Sequence, residues 1–579
     1  MKSLKATLLD GAAKAHREAN RKYLLSLDTE RIFANFYIQA GLNSNRHTVP
    51  KHYGGWEEAD TQVHGNIAGH YLSACAMYAY YDNDVEMLGR VIKAVDILEM
   101  CQNEGEDGWV SSLPSVYLDR IARNKWVWAP MYNLHKTSMG LADAYRFCKI
   151  EKAAKVLGKL ADWFVVWTDK FSYERMQDIL DWETGGMMEV WAQMYELTKE
   201  DKYKLLMERF AHYRFFNPIL EGKDILSYTH ANTTIPEAHG FAMAYKATGD
   251  EKYKVLAERY LEQGVFEREC YCTGGQNSGE GWLKTINYAD LGDQNQEHCT
   301  VYNMIRLCEY IMEWNEDVRY ADYIERGIIN GLMAQHRVKD GMNAYYLPLG
   351  AGRKKDWSTP FDHMTCCLGT TMQANASYEA RIFFEKENGV VVSQYIPSEL
   401  DWKKDGKDVK ITMTSSAVGE PEQRPAKARH IIKVSANEKT SFTLTLRVPI
   451  WSTETTIFVN GKEVLKETAQ DCKWFEIPGE WQDDTVEILL KQELSLSKLG
   501  STDYYAVLYG PTVLAGLTDN DNILRGINEK ELTDIVRIRS ARDWNVSMST
   551  WVASTDGSPI IMKPINEIDS EIYTVYFKK

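Results

Sequence analysis

The chain has 579 residues, more than one hydrophobic core usually serves, so two or three domains are expected unless a barrel absorbs much of the length. Its 67 basic and 82 acidic side chains leave a net charge of −15, which repels nucleic acid and anionic membranes and points to a small ligand of little charge. Ten cysteines over this length are too few for a disulfide scaffold and favour free thiols or a metal site.

The N-terminus reaches Asp10 before any apolar run long enough for a signal peptide, and no later apolar stretch has spanning length, so a cytoplasmic location is expected. A first helix is expected around Ala12 to Leu25. One pattern then recurs through the first two thirds of the chain: an apolar helix ending near a tyrosine, a short polar turn, and a second amphipathic helix. Tyr81, Tyr145, Tyr195 and Tyr245 each precede such a turn, and Tyr310 begins a looser fifth example, at intervals of 64, 50, 50 and 65 residues. That spacing is long for an open helical solenoid and suits helical hairpins separated by functional loops. With the first helix and another expected around Thr370 to Ala380 supplying the sixth pair, the ring closes. We therefore expect a mainly α chain with an all-β C-terminal part: an (α/α)6 barrel over residues 1–385, then β-sandwich modules. Long loops rich in His, Trp and Gly weigh against an open α-solenoid, because they suit a pocket better than a flat face.

After about Phe384 the period becomes two, as in Val390-Val391-Val392-Ser393-Gln394-Tyr395 and Ser441-Phe442-Thr443-Leu444-Thr445-Leu446-Arg447-Val448. Asn460-Gly461 between two such runs predicts a hairpin. Residues 386–579 are expected to be one or two β-sandwich modules that buttress the barrel, since no chemical constellation stands out in them.

The most informative local feature is Cys366-Cys367, because neighbouring thiols rarely share one disulfide and often share a metal. Upstream, Glu297 and Cys299 in Gln296-Glu297-His298-Cys299 complete one carboxylate and three thiolates, a set suited to tetrahedral zinc. The plainer reading is a group of buried apolar cysteines. Cys270 and Cys272 offer other ligands, although thiols at a strand edge are the simpler account of them. Closed four-ligand zinc sites are usually structural, yet a zinc-held thiolate at a pocket wall is also a ready nucleophile. Glu280, in the glycine-rich run Gly274-Gly275-Gln276-Asn277-Ser278-Gly279-Glu280-Gly281, is the proton-donor candidate, with a pKa expected to be raised by apolar neighbours. His64, His70, His135, His230 and His239 are each expected near a helix start on one rim, where they could bond sugar hydroxyls; singly, each is more often a packed or capping residue.

Taken together these segments resemble the β-L-arabinofuranosidase group, glycoside hydrolase families 127 and 146. The resemblance runs from Tyr23-Leu24-Leu25-Ser26-Leu27-Asp28 and Gly54-Gly55-Trp56-Glu57 through Gly69-His70-Tyr71-Leu72-Ser73-Ala74, Leu134-His135-Lys136 and His230-Ala231-Asn232-Thr233. It continues through Glu297-His298-Cys299-Thr300-Val301-Tyr302 and Cys366-Cys367-Leu368-Gly369-Thr370 to Tyr509-Gly510-Pro511. It implies a retaining mechanism in which zinc-bound Cys366 is the nucleophile, Glu280 the acid/base, and Glu297, Cys299 and Cys367 the other zinc ligands. Tyr345, His135 and His239 fall where the family contacts its sugar, and His70 and His230 are further sugar-binding candidates. Two departures stand out: Glu183-Thr184-Gly185-Gly186-Met187 has a threonine where many relatives carry a histidine, and His298 replaces a smaller residue between two ligands. The expected partner is a small oligosaccharide or glycoside, with no nucleic acid and no membrane, and a homodimer is left open. Two other readings remain at this stage, an α/α-barrel sugar epimerase or unsaturated-uronyl hydrolase with a structural zinc or none, and a non-catalytic sugar-binding protein.

Overall fold

The computed structural model describes residues 1–42, 49–105, 107–182, 184–284, 290–418, 427–468, 471–521, 523–525, 531–539 and 550–578. Among these residues twelve helices build the barrel, with shorter ones in its loops. In chain order they are α1 (Ala12–Ser26), α2 (Asn66–Tyr81), α3 (Val85–Asn103), α4 (Pro130–Cys148), α5 (Glu151–Thr168), α6 (Met187–Thr198), α7 (Asp201–Arg209), α8 (Ala231–Thr248), α9 (Glu251–Leu261), α10 (His298–Met312), α11 (Val318–Gly327) and α12 (Cys366–Ala374). Helices α2, α4, α6, α8, α10 and α12 pack in that order into an inner ring, and α12 returns to α2. Helices α3, α5, α7, α9 and α11 lie outside their inner partners. The sixth outer position belongs to α1, whose Asn20 Nδ2 donates to Met372 O of α12 at 2.9 Å. The result is an (α/α)6 barrel, and the five tyrosines of the repeat all fall in the last turn of an inner helix.

The two rings differ in sequence because they differ in surroundings. Inner helices such as α2 and α8 are buried on nearly every face and carry almost no amphipathic period. Outer helices such as α5 and α11 bury one stripe and turn charged residues outward. Aspartates begin three of the outer helices: Asp84, Asp250 and Asp317 accept from the backbone N–H of Glu86, Lys252 and Arg319. The helix expected around Thr370 to Ala380 starts earlier, so Cys366 and Cys367 form its first turn, and it ends at Ala374.

Two hydrogen-bonded sheets follow. The first contains β1 (Lys2–Ser3), β2 (Ala6–Leu8), β3 (Phe383–Lys386), β4 (Gly389–Val392), β5 (Ser398–Lys404), β6 (Lys407–Val418), β7 (Lys427–Val448), β8 (Thr455–Val459), β9 (Lys462–Glu467) and β10 (Lys473–Lys491). Asn460 and Gly461, with φ of 50° and 77°, turn the chain between β8 and β9 as their residue types predict. Not foreseen is the return to the head of the chain, where β1 pairs with β3 and β2 with β5. The second sheet has seven strands between Leu494 and Lys578. Both sheets are fixed to the barrel by buried polar contacts. Arg447 of β7, fully buried, bonds Asp322 and Glu325 of α11, and Asn330 exchanges hydrogen bonds of 2.8 Å with Pro511 O and Val513 N. No helix of the described residues is long and apolar enough to cross a membrane.

Ring closure is tight. A Cβ on Gly69 of α2 would overlap the Lys136 carbonyl of α4, and one on Gly369 of α12 would overlap the His70 ring of α2. Gly69→Ala is therefore expected to destabilise the protein by about 3 kcal/mol or more, because the obstacle is backbone. Gly89→Ala is its control: the site is exposed on α3 with nothing within 4 Å, and alanine there should stabilise by about 0.5–1 kcal/mol. Urea unfolding of the two variants beside the parent checks both signs.

Candidate active site

Four donors meet where α10 and α12 begin. Glu297 immediately precedes α10, Cys299 lies in its first turn, and Cys366 and Cys367 open α12. All four side chains are buried and their ligand atoms lie within 4.8 Å of one another. Asn277 holds Glu297 in place: its Oδ1 accepts from Glu297 N at 3.0 Å and from Thr300 Oγ1 at 2.9 Å, and its Nδ2 donates to Gly279 O at 2.7 Å. His298, between the two ligands of α10, ties that helix to α12, with Nδ1 3.0 Å from Thr370 Oγ1 and Nε2 3.3 Å from Thr371 Oγ1. Cys270 and Cys272 are not members of the four-donor group.

The dimensions suit a cation. Cys366 Sγ lies 3.9 Å from Cys367 Sγ, and each sulfur is 3.7 Å from Glu297 Oε1. A tetrahedral ion with metal–sulfur bonds of about 2.3 Å and a metal–oxygen bond of about 2.0 Å has edges of about 3.8 and 3.5 Å. The second carboxylate oxygen, Glu297 Oε2, is buried without a hydrogen-bond partner. Two helix N-termini also direct their partial positive charge at the sulfurs. These residues could therefore hold a metal ion.

The three thiols are not equivalent. Burial opposes ionisation of Cys366, but hydrogen bonds from Cys299, Cys367 and Tyr345 outweigh it and hold this thiol well below the usual cysteine range. Burial drives Cys299 and Cys367 well above it. Burial, then the neighbouring Cys366, pushes the Glu297 carboxyl up to about 8. Among the three, Cys366 is the one that lines an adjoining pocket of about 100 Å³.

Glu280 faces the same pocket from a hairpin turn. Asn277–Ser278 pairs with Gly281–Trp282, and Gly279 takes the left-handed position at φ 58° that a two-residue turn needs, leaving the next side chain projecting. Tyr345 lies between Cys366 and Glu280, its oxygen 3.4 Å from Cys366 Sγ and 2.9 Å from Glu280 Oε1, so that its single O–H can serve either one. His230 Nε2 lies 3.4 Å from Glu280 Oε2. The hydrogen bond from His230 outweighs partial burial and keeps the Glu280 carboxyl below its ordinary value. This reverses the shift expected from the loop's composition, because the dominant neighbour is a histidine distant in sequence.

The other histidines sit deeper than a rim. His70 and His135 are buried little more than one turn into their inner helices, and His239 about two turns into its own, and none of the three lines the pocket. His70 Nδ1 lies 2.6 Å from Gln373 Oε1 and its ring packs under Gly369. His135 Nε2 is 3.9 Å from Glu189, and His239 Nδ1 is 3.3 Å from it. His239 Nε2 also bonds Asn303 O at 2.7 Å, and Asn303 Nδ2 donates to Asn232 Oδ1 at 2.8 Å, so His239 reaches the pocket only through Asn232. His64 bonds two loop carbonyls, of Thr61 at 2.5 Å and of Ser112 at 2.9 Å. Thr184 is buried, and Glu183 lies outside the described residues.

Sequence reasoning passed over four residues that shape the site: Trp56, Trp128, Asn232 and Asn277. The two indoles line the pocket edge to face, with centroids 5.2 Å apart and planes at 75°. Trp56 had a signal in the double glycine before it, where Gly55 takes φ 66°. Trp128 had none in a chain of 17 tryptophans.

Residues 5–380 match a family model described as β-L-arabinofuranosidase, GH127 catalytic domain, and residues 389–492 match the GH127 middle domain. Among solved structures the chain is similar to a GH127 β-L-arabinofuranosidase from Geobacillus stearothermophilus T6, at 17% identity, with 99% of each chain covered and a TM-score of 0.75. It is also similar to a second GH127 β-arabinofuranosidase, at 16% identity, with 100% of this chain and 97% of that one covered and a TM-score of 0.76. No curated protein sequence matches.

If the four donors share one ion, replacing Cys367 by alanine should weaken metal binding beyond the roughly 10–100-fold that loss of an outer-shell partner costs. Metal content by elemental analysis after dialysis, with the melting temperature read beside it, checks this: the parent should retain about one equivalent and Cys367→Ala much less.

Proposed function

The chain belongs to the GH127 β-L-arabinofuranosidase family and is a glycoside hydrolase, and from that premise we propose that it removes a terminal β-L-arabinofuranosyl or closely related residue with retention of configuration. The observation that carries the reading is the line Cys366 Sγ, Tyr345 Oη, Glu280 Oε1 along the pocket wall. Cys366 Sγ and Glu280 Oε1 are no more than about 6.3 Å apart, short of the roughly 6.5–9.5 Å that inverting glycosidases need for a water, which supports a retaining pair. The volume of about 100 Å³ is small beside ligand sites of roughly 300–1,000 Å³, which favours one terminal ring.

Three thiolates and a carboxylate favour zinc, which when held by Glu297, Cys299, Cys366 and Cys367 would keep the thiols ionised at neutral pH. Cys366 attacks the anomeric carbon as its Sγ–C bond forms and the glycosidic C–O bond breaks, while Glu280 gives its proton to the departing oxygen. Glu280, now a carboxylate, takes a proton from water, which attacks the same carbon and expels the Cys366 thiolate. Two inversions give net retention. The sugar's arrival strips water from Glu280, and this desolvation raises the carboxyl that His230 holds down in the free protein. Tyr345 orients both reactive groups, and Trp56 and Trp128 offer apolar faces to the ring.

Cys366→Ala should lower kcat on an aryl β-L-arabinofuranoside by at least about 10⁴-fold, as loss of a covalent nucleophile does elsewhere; activity within tenfold of the parent would sink the assignment. His230→Ala removes the hydrogen bond that depresses Glu280, so the acid should keep its proton to higher pH. The alkaline limb of the kcat/KM profile should move upward, and an unmoved limb would mean that Glu280 is not the acid.

A further inference from the structure

Next to Trp56 in the chain stands a buried carboxylate held by four donors. Glu57 is 2% exposed; its Oε2 accepts from Gly65 N at 2.6 Å and Asn35 Nδ2 at 3.3 Å, and its Oε1 from Asn66 Nδ2 at 2.9 Å and Ile67 N at 3.1 Å. Two of these donors are backbone N–H groups at the start of α2, where a helix leaves such groups unpaired and favours negative charge. Burial pushes the Glu57 carboxyl up to about 7 while each of the four hydrogen bonds pulls it down, so the charged form is the one its surroundings fit.

The loop that this clamp closes carries part of the pocket wall. Trp56 directly precedes Glu57, Val63 lies two residues before Gly65, and both line the pocket. Between them Thr61 Oγ1 donates to Trp56 O at 2.5 Å, and Gln62 Oε1 accepts from Trp128 N at 2.7 Å, so the second tryptophan of the wall hangs on the same loop. The reactive groups come from other segments: Glu280 from the hairpin of Asn277–Ser278 and Gly281–Trp282, and Cys366 from α12. Toward α12 the clamp reaches more weakly, with Asn66 Nδ2 3.3 Å from Met364 O, and His298 fastens that helix independently.

We propose that Glu57 is a positioning residue for sugar binding: by pinning the loop of residues 56–67 to the start of α2, it sets the faces of Trp56 and Trp128 that meet the sugar ring. The proposal rests on the glycosidase reading above and deepens it. It separates a wall that binds from the groups that react.

Glu57→Gln tests this, because it keeps the side chain's size but turns an amide NH2 toward donors where only an acceptor fits. With the full chain loaded with zinc and an aryl β-L-arabinofuranoside as substrate, KM should rise about tenfold while kcat stays within about threefold of the parent. In protein labelled with fluorotryptophan, the fluorine resonances of Trp56 and Trp128, assigned through Trp56→Phe and Trp128→Phe, should move while those of Trp402 and Trp551 in the two sheets hold. Gln62→Met removes the acceptor of Trp128 N alone and serves if Glu57→Gln does not fold: the Trp128 resonance should move and KM rise about threefold. An unmoved KM, a kcat that falls as steeply as KM rises, or unmoved tryptophan resonances in the folded variant overturns the proposal and leaves the glycosidase reading standing. No turnover by the parent overturns that reading, and this proposal with it.

Discussion

An (α/α)6 ring closes only if its last inner helix can lie against its first, and here one glycine sets how near they come while a second sets the next seam of the ring. Gly369 lets α12 settle on His70 of α2, and Gly69 lets α2 settle on the backbone of α4. The depth of the seam between α12 and α2 decides where Cys366 and Cys367 stand, because they form the first turn of α12, beside the first turn of its other neighbour, α10. Metal–ligand distances tolerate only about 0.2 Å. Packing at one side of α12 thus controls how the four donors would meet an ion at its end.

Beneath the pocket the barrel is polar rather than oily. Glu189 is flanked by Arg306, His135 and His239, and although burial opposes it, these neighbours keep its carboxyl well below the usual range. Gln373 joins His70 to Ser73, and Ser73 bonds Asp143 at 2.5 Å. These contacts link neighbouring helices, although His70 Nε2 and both His135 nitrogens find no hydrogen-bond partner among the described residues. The contacts support the wall that carries Asn232 and the helix that carries the cysteines.

Much of this was legible in the sequence, for physical reasons. An inner helix buried all round, a tyrosine in its last turn and an amphipathic partner after a short polar turn make a repeat that survives large differences in loop length, so Tyr81, Tyr145, Tyr195 and Tyr245 mark the ring. The donor set was legible because two thiols in succession with a Glu-x-Cys elsewhere leave few other chemistries. Depth along a helix was not: a side chain's phase says which face it occupies, not how many turns below the rim it lies, which is why His70, His135 and His239 fall behind the pocket. Nor could the direction of the Glu280 shift be read, since His230 and Tyr345 reach it from segments 50 and 65 residues away. The pairing of residues 2–8 with strands after residue 383 carries no local signal at all.

That pairing has a bearing on how the chain is made. Its first strands and α1 wait for partners that leave the ribosome more than 350 residues later, among β3, β5 and α12. Five helical hairpins can form in sequence as synthesis proceeds, each from local contacts, while the circle stays open at both ends. The donors sit on the last two inner helices to emerge. The four donors therefore come together only when α12 packs on α10, after nearly all of the barrel has been made.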